Sequence, residues 1–387
     1  MKVAINTLSH VTGGGITYFE NVLPRLADDG DEYLVLVPAG RDKITRVDAS
    51  NIRFVETSFP VGFLLGRLFY EQVVFPLLLW YWDVDVLLSP ADLTPLLAPC
   101  PSVLAIRNPN PYFRAPDLDR TRFRRVKFRL QRYLTWLAAR KASEVFFVSE
   151  FSRDISAETL GLPAEKTHVV YHGLDRSLFE EPAVPDDELR DRIGANKPYL
   201  LTISTINEHK NYETLLRGYA RLPERIRSEY DLLVAGRNSA PEYFDRLQEI
   251  CRNEGIDKQV QFLGEVDYEY VPYLYQHASL YVLPSKLETF GHTLVEAMAS
   301  GTPIVAADAT CIPEIVDGAA VLFDPDSPTA LADSIEAVLT EETRRDDLVA
   351  RGTDRVTEFS WDRTVDRTKA LLTTAAQSTG ETELHDD

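Results

Sequence analysis

Leu283-Pro284-Ser285-Lys286-Leu287-Glu288-Thr289-Phe290-Gly291-His292-Thr293-Leu294-Val295-Glu296-Ala297-Met298-Ala299-Ser300-Gly301-Thr302-Pro303 is the stretch whose reading decides the fold. The apolar residues 280–283 lead into it and predict a buried strand ending near Pro284. From Gly291 onward the apolar residues take helical spacing, and Gly301 supplies a natural stop. Strand, loop and helix in that order predict a loop at the carboxyl end of a parallel strand, where open α/β sheets bind ligands. The two carboxylates of the stretch stand on different footings. Glu296, about one turn into the helix, can accept two hydrogen bonds from vicinal ribose hydroxyls. Glu288, in the loop, can accept from a hexose hydroxyl or stabilise positive charge developing on a sugar ring. The amides of Phe290, Gly291 and His292, at the positive end of the helix, suit phosphate or sugar oxygens. The same spacing also describes two surface carboxylates near a helix start, each gaining about 0.3–1 kcal/mol from the dipole.

The alternation extends outward over the whole chain. Strands are predicted at 2–6, 33–38, 52–55, 85–89, 102–106 and 144–149, with a glycine-rich turn at 12–15 and a helix at 16–27. A second series runs through 199–204, 232–235, 260–263, 280–283 and 303–306. The fold class is therefore α/β, with two domains of similar size and parallel sheets flanked by helices. The Pro-, Glu- and Asp-rich segment 179–191 reads as a linker. The expected division is 1–180 for the first domain and 181–360 for the second. A closing helix at 361–376 could pack on either and return to the first, and 377–387 form a disordered acidic tail.

Composition narrows the class of protein. The chain has 387 residues, 44% of them hydrophobic, enough for two packed cores. No apolar run is long enough to span a bilayer, and the first residues read as a strand rather than a leader, so the expected location is the cytoplasm. Cys100, Cys251 and Cys311 are far apart without metal-ligand spacing and are expected to be reduced thiols. The formal net charge is −19, and only ten of the 41 basic residues are lysines. Such a surface suits high salt, where the Debye length falls to about 3 Å and self-repulsion is tolerated. It argues against a nucleic-acid partner.

The spacing from Glu288 to Glu296, framed by Phe290-Gly291 and residues 297–303, continues through 304–307, Pro313-Glu314 and Gly318…Phe323. This pattern resembles the signature of the family 4 retaining glycosyltransferases. The resemblance implies the GT-B fold, two Rossmann-like domains facing each other across a cleft, with the donor held mainly by the C-terminal one. It implies transfer of a hexose from a nucleotide-diphospho-sugar to a hydroxyl of a glycan or lipid-linked acceptor. The transfer would retain anomeric configuration and serve cell-surface glycan, glycoprotein or glycolipid synthesis. Glu296 would hold the donor ribose and Glu288 lie by the transferred sugar, with Phe290, Gly291, His292 and Thr293 in the same pocket. No cofactor and no obligatory metal are expected, since Lys210 and the helix amides offset the phosphate charge.

Other motifs fit this resemblance unevenly. Lys210 matches the family lysine that reaches the diphosphate, but Thr205 stands where an arginine is usual. In a branch where the arginine adjoins the lysine, His209 stands in its place. A protonated His209, or Arg237 after the strand at 232–235, would have to substitute. Gly14 and Gly15 resemble the family's glycine loop facing the donor phosphates, although Gly13-Gly14-Gly15 alone is equally a structural turn. Where many relatives carry a loop histidine, Arg107-Asn108 stand here, which makes Asn108 a catalytic candidate and His10 and His172 the alternatives. A sugar-nucleotide epimerase, a glycoside phosphorylase and a non-catalytic nucleotide-sugar-binding protein are the rival readings. A dinucleotide-binding dehydrogenase fits poorly, because the Gly-x-Gly-x-x-Gly spacing is missing.

Between Arg120 and Lys141 every charged residue is basic, and Phe123, Val126, Leu130, Tyr133, Leu134 and Leu137 recur at roughly helical spacing. A basic amphipathic helix of this kind, 120–141, can dock on anionic lipid and hold the protein at the inner face of the cell membrane. It equally describes a solvated helix whose apolar side packs on a sheet. The apolar stretch 59–82, broken by Arg67, Glu71 and Pro76, reads either as part of that surface or as a core helix.

Overall fold

The computed structural model describes residues 1–8, 14–27, 29–39, 47–59, 64–108, 112, 122–193 and 197–380. The chain divides into two units. The first comprises Met1–Gly173 with Trp361–Asp387, and the second Leu174–Ser360.

In the first unit seven parallel strands, β1 (Lys2–Asn6), β2 (Glu32–Pro38), β3 (Ile52–Thr57), β4 (Val86–Ser89), β5 (Ser102–Ile106), β6 (Glu144–Phe147) and β7 (Thr167–Val169), lie in the order β3-β2-β1-β4-β5-β6-β7. The central strands are short apolar runs buried on both faces, as parallel sheets require. Register assigns the faces. Ala4 pairs with Leu34 and Leu87, Ser89 with Leu104, and Leu104 with Val145, so these side chains share one face. On that face Phe75 and Leu79 pack over Ala4, Leu36 and Leu87, and Ala138 and Ala139 pack over Leu104 and Phe147. The other face carries Val3, Ile5, Val103 and Phe146 against Phe19, Trp361 and Leu372. The closing helix, Trp361–Gly380, thus completes the core of the first unit, with Lys369 Nζ 2.8 Å from Asp29 and Arg25 Nε 2.7 Å from Asp362.

The second unit has β8 (Tyr199–Ile203), β9 (Asp231–Ala235), β10 (Val260–Gly264), β11 (Leu280–Leu283), β12 (Ile304–Ala307) and β13 (Val321–Phe323), all parallel, in the order β10-β9-β8-β11-β12-β13. β8 and β9 are drawn close beyond their ends. Gly236 has φ 141°, and a side chain there would overlap the Ser204 carbonyl.

Several expectations differ from this architecture. The strands β7 and β13 are three residues each and carry too little periodicity to stand out in the sequence. The unit boundary falls at Gly173/Leu174, ahead of 180/181. Segment 179–191 is not a loose linker. Phe179 is buried and its carbonyl accepts from Gln276, while the helix Asp187–Ile193 buries Leu189 and Ile193. The closing helix runs on to Gly380, and 381–387 of the expected tail lie outside the described residues. Among the described residues no helix is long and apolar enough to cross a membrane.

Candidate functional site

In the second sheet the chain order reverses between the neighbours β8 and β11, which makes their carboxyl ends the topological switch point. Lys210 follows β8 and Glu288 follows β11. The loop after β8 closes in a short 3₁₀ turn, Glu208–Lys210, terminated by Asn211 at φ 57°. The Asn211 side-chain amide donates to the carbonyls of Pro284 (3.1 Å) and Pro325 (2.8 Å), and the Lys286 N–H donates to the His209 carbonyl (2.9 Å). The Glu288 N–H donates to Thr310 Oγ1 at 3.1 Å. These bonds tie two loops, distant in sequence, into one rigid mouth. Lys210 Nζ then donates to Glu288 Oε1 at 2.6 Å, with only 14% and 12% of the two side chains exposed. A pair this desolvated is costly to break from one side, because the remaining charge stays buried.

In the free protein His209 is a poor substitute cation. Burial, reinforced by the neighbouring Lys210 charge and opposed by Glu288, pushes its imidazole down to about 4, so the ring is neutral at ordinary pH. Arg237 is exposed beyond β9, and its carbonyl accepts from the Ile206 N–H at 2.9 Å.

The helix His292–Ala299 opens on Gly291, whose φ of 82° an ordinary residue adopts only under strain. Glu296 is buried on this helix. Tyr268 Oη donates to its Oε1 and Tyr275 Oη to its Oε2, each at 3.1 Å. Burial pushes the Glu296 carboxyl above its usual range, and the two phenols oppose that rise. Each oxygen still has lone-pair capacity for a further donor. Thr302 Oγ1 donates to the Tyr275 carbonyl (2.7 Å) and so anchors the tyrosine's helix to the strap following Glu296. Thr293 is half-buried on the same helix. Phe290 does structural duty, its ring buried edge-on against His292 (5.0 Å) and Phe359 (5.6 Å). No motif marked Tyr268 and Tyr275 in the sequence. The available signal was a tyrosine-rich segment ahead of β11, since buried phenols need polar partners.

The remaining candidates belong to the first unit. Gly14 and Gly15 open the helix Gly14–Arg25 beyond the carboxyl end of β1, while Gly13 and His10 lie outside the described residues. Beyond β5, the N–H groups of Arg107 and Asn108 donate to Asp92 Oδ1 at 3.0 and 3.4 Å. The Arg107 guanidinium lies 4.2 Å from the Tyr18 ring centroid, with Nη2 3.1 Å from His172 Nε2. Trp361 packs edge-on against His172 at 5.8 Å. Burial lowers the Arg107 guanidinium to about 10, so it remains a cation at neutral pH. The structure thus unites Arg107 and His172, two residues far apart in sequence, with Asn108 half-buried alongside. Sequence reasoning missed Asp92 and Tyr18, which hold the backbone and the side chain of Arg107. Among the described residues no group of three or more His, Cys, Asp or Glu gathers as a metal site.

Comparison with known proteins agrees with this geometry. Residues 186–355 match the family described as "Glycosyl transferases group 1", and residues 12–178 match "Glycosyltransferase Family 4". The O-antigen chain mannosyltransferase B of Escherichia coli is 31% identical over 224 residues, 57% of this chain and 58% of that protein. The D-inositol 3-phosphate glycosyltransferase of Xylanimonas cellulosilytica is 30% identical over 228 residues, covering 57% and 53% respectively. The matched regions span between half and two thirds of these relatives' lengths. Among solved structures, Anabaena HepE in complex with UDP and glucose aligns with a TM-score of 0.75 at 21% identity, covering 97% of this chain and 100% of that one. The architecture is thereby that of GT-B proteins.

Proposed function

Because the chain belongs to the group 1, family 4 glycosyltransferases, we propose that it transfers a hexose from a nucleotide-diphospho-sugar to a hydroxyl of a glycan or lipid-linked acceptor, with retention at the anomeric carbon. The observation that carries this reading is the Lys210–Glu288 pair at the switch point of the second sheet. In the free protein the two charges satisfy each other. A donor diphosphate draws the Lys210 ammonium to itself and releases Glu288 to accept from the sugar hydroxyls. Glu296, held by Tyr268 and Tyr275, takes the ribose diol. The amides at the start of the helix His292–Ala299 face the sugar and phosphate oxygens. In the reaction the bond from the anomeric carbon to the diphosphate oxygen breaks and a bond to the acceptor oxygen forms. The acceptor's proton passes to the departing diphosphate on the same face. Lys210 stabilises the charge that builds on the leaving group, and no step requires a metal.

The test is incubation of the protein with a panel of nucleotide sugars, UDP-glucose and GDP-mannose among them, and candidate glycan acceptors. Product is identified by mass spectrometry and its anomeric configuration by NMR. A glycoside with retained configuration and an equivalent of nucleoside diphosphate is expected. Sugar phosphate formed only with added inorganic phosphate would indicate a phosphorylase, and absence of turnover with every donor a binding protein.

A further inference from the structure

The first unit carries an aromatic surface made of none of the residues assigned above to the sugar-transfer site. Helical turns continue from Leu64 to Tyr81 through a π-helical segment, Tyr70–Val74. One side of this segment, with Phe75 and Leu79, enters the core. The other side turns Phe69, Val73, Leu77 and Trp80 outward at helical spacing, with Leu77 64%, Trp80 74% and Tyr81 78% exposed. Phe59 stacks on Phe69 at 5.9 Å and extends the patch. Isolated exposed apolar residues are ordinary, but a contiguous aromatic stripe is not.

The helix Arg122–Lys141 repeats the feature. Its inner side places Ala138 and Ala139 in the core, while Val126, Leu130 and Tyr133 stand outward, more than half exposed. Both segments pack on the same face of the first sheet, one over β1, β2 and β4 and the other over β5 and β6. They are therefore neighbours in one layer, and their outer stripes look the same way. Charge selects what covers them. In a chain of net charge −19, the helix Arg122–Lys141 carries no acidic residue. Exposed Arg129, Arg140 and Lys141 flank its apolar stripe.

We infer that this helical layer of the first unit is a docking surface for an anionic lipid bilayer, with the stripe around Leu77, Trp80 and Tyr81 inserting among the headgroups and the basic helix lying beside it. The two helices divide the work. Basic residues attract anionic headgroups at low ionic strength and are screened at molar salt. Aromatic insertion is not screened, and excluded salts strengthen it. The surface thus serves a protein in either ionic regime. It is independent of the proposed reaction, so its failure leaves the second-unit site as described.

The experiment is co-sedimentation of the full chain with vesicles of phosphatidylglycerol or of phosphatidylcholine, at low and at molar salt. Wild-type protein is expected to pellet with phosphatidylglycerol, and at low salt about tenfold less with phosphatidylcholine. The variant Leu77→Ser/Trp80→Ser/Tyr81→Ser should lose about tenfold in partitioning at both salts, whereas Arg129→Glu/Lys141→Glu should lose it at low salt only. Trp80→Phe guards against a misfolded triple variant. Tryptophan emission of the wild type should shift to the blue with phosphatidylglycerol, and Trp80→Phe should lose that shift. Wild type remaining in the supernatant with phosphatidylglycerol at both salts, variants pelleting like wild type, or an identical shift in Trp80→Phe would overturn the inference. So would a lipid-free dimer in sedimentation velocity that the triple variant dissolves, which would assign the patch to a second copy of this chain.

Discussion

The two sheets end in loops of opposite character. At the carboxyl ends of the second, carboxylates are held ready. Glu296 is fixed by two phenols and Glu288 by an ammonium. At the carboxyl ends of the first, a cation is held ready, with Arg107 laid over Tyr18 and beside His172. Carboxylates fixed by donors can exchange those donors for ligand hydroxyls, so the second unit is built to trade partners. A guanidinium on an aromatic ring keeps its stack whatever binds its edge, so the first unit is built to stay put.

Breaking the second-unit arrangement should have the largest effect. Lys210→Ala removes the proposed leaving-group cation and strands Glu288, and kcat/KM for the donor should fall by about 10²–10³-fold. Steady-state rates of nucleoside diphosphate release measure this, and an unchanged kcat/KM would remove Lys210 from the site. Tyr268→Phe sharpens the same side. In the proposed reading Glu296 accepts ribose hydroxyls as a carboxylate, and burial already holds its carboxyl above the usual range. Donor affinity should therefore weaken as pH falls through that raised value. Without the Tyr268 donor the carboxyl rises further, so the acid limb of donor KM should move to higher pH while kcat moves less. Superimposable pH profiles would show that the phenol does not tune Glu296.

Breaking the first-unit arrangement should cost stability before donor affinity. Arg107→Lys keeps the charge but loses the planar stack on Tyr18. The melting temperature should fall by about 2–4 °C, the shift that about 1 kcal/mol produces in a domain of this size. A weakened donor affinity at unchanged melting temperature would place Arg107 on the donor instead. The smallest effect belongs to His209→Gln. With its imidazole near 4, His209 is neutral above about pH 5, so donor kcat/KM should change by no more than about twofold there. A larger loss that grows as pH is lowered would restore it as a cation.

The contrast also explains what the sequence made legible. The strand–loop–helix at Leu283–Pro303 is local, so periodicity, Gly291 and Gly301 were enough to set Glu288 and Glu296 on their elements. Lys210 was found by its motif, but its bond to Glu288 depends on Asn211 holding the carbonyls of Pro284 and Pro325, contacts no local pattern encodes. Tyr268, in a single 3₁₀ turn, and Asp92, in a loop, escaped notice because such isolated residues acquire partners only when distant strands align. His209, offered with Arg237 as a substitute cation, meets a related limit. Its charge state follows from burial beside Lys210, a property of the assembled mouth and not of residue type. The segment 59–82 supported two readings because its sides differ, with Phe75 and Leu79 in the core and Leu77 and Trp80 exposed.

The most direct test of the central claim is calorimetric titration of UDP and GDP into wild-type protein, Lys210→Ala and Glu296→Ala. At least one nucleotide should bind the wild type, and each substitution should weaken that binding by about tenfold or more, since each removes a charged hydrogen-bonding partner. Equal affinity in all three proteins would contradict the account, because neither the ammonium at the mouth of β8 nor the carboxylate held by the two tyrosines would then be holding the donor.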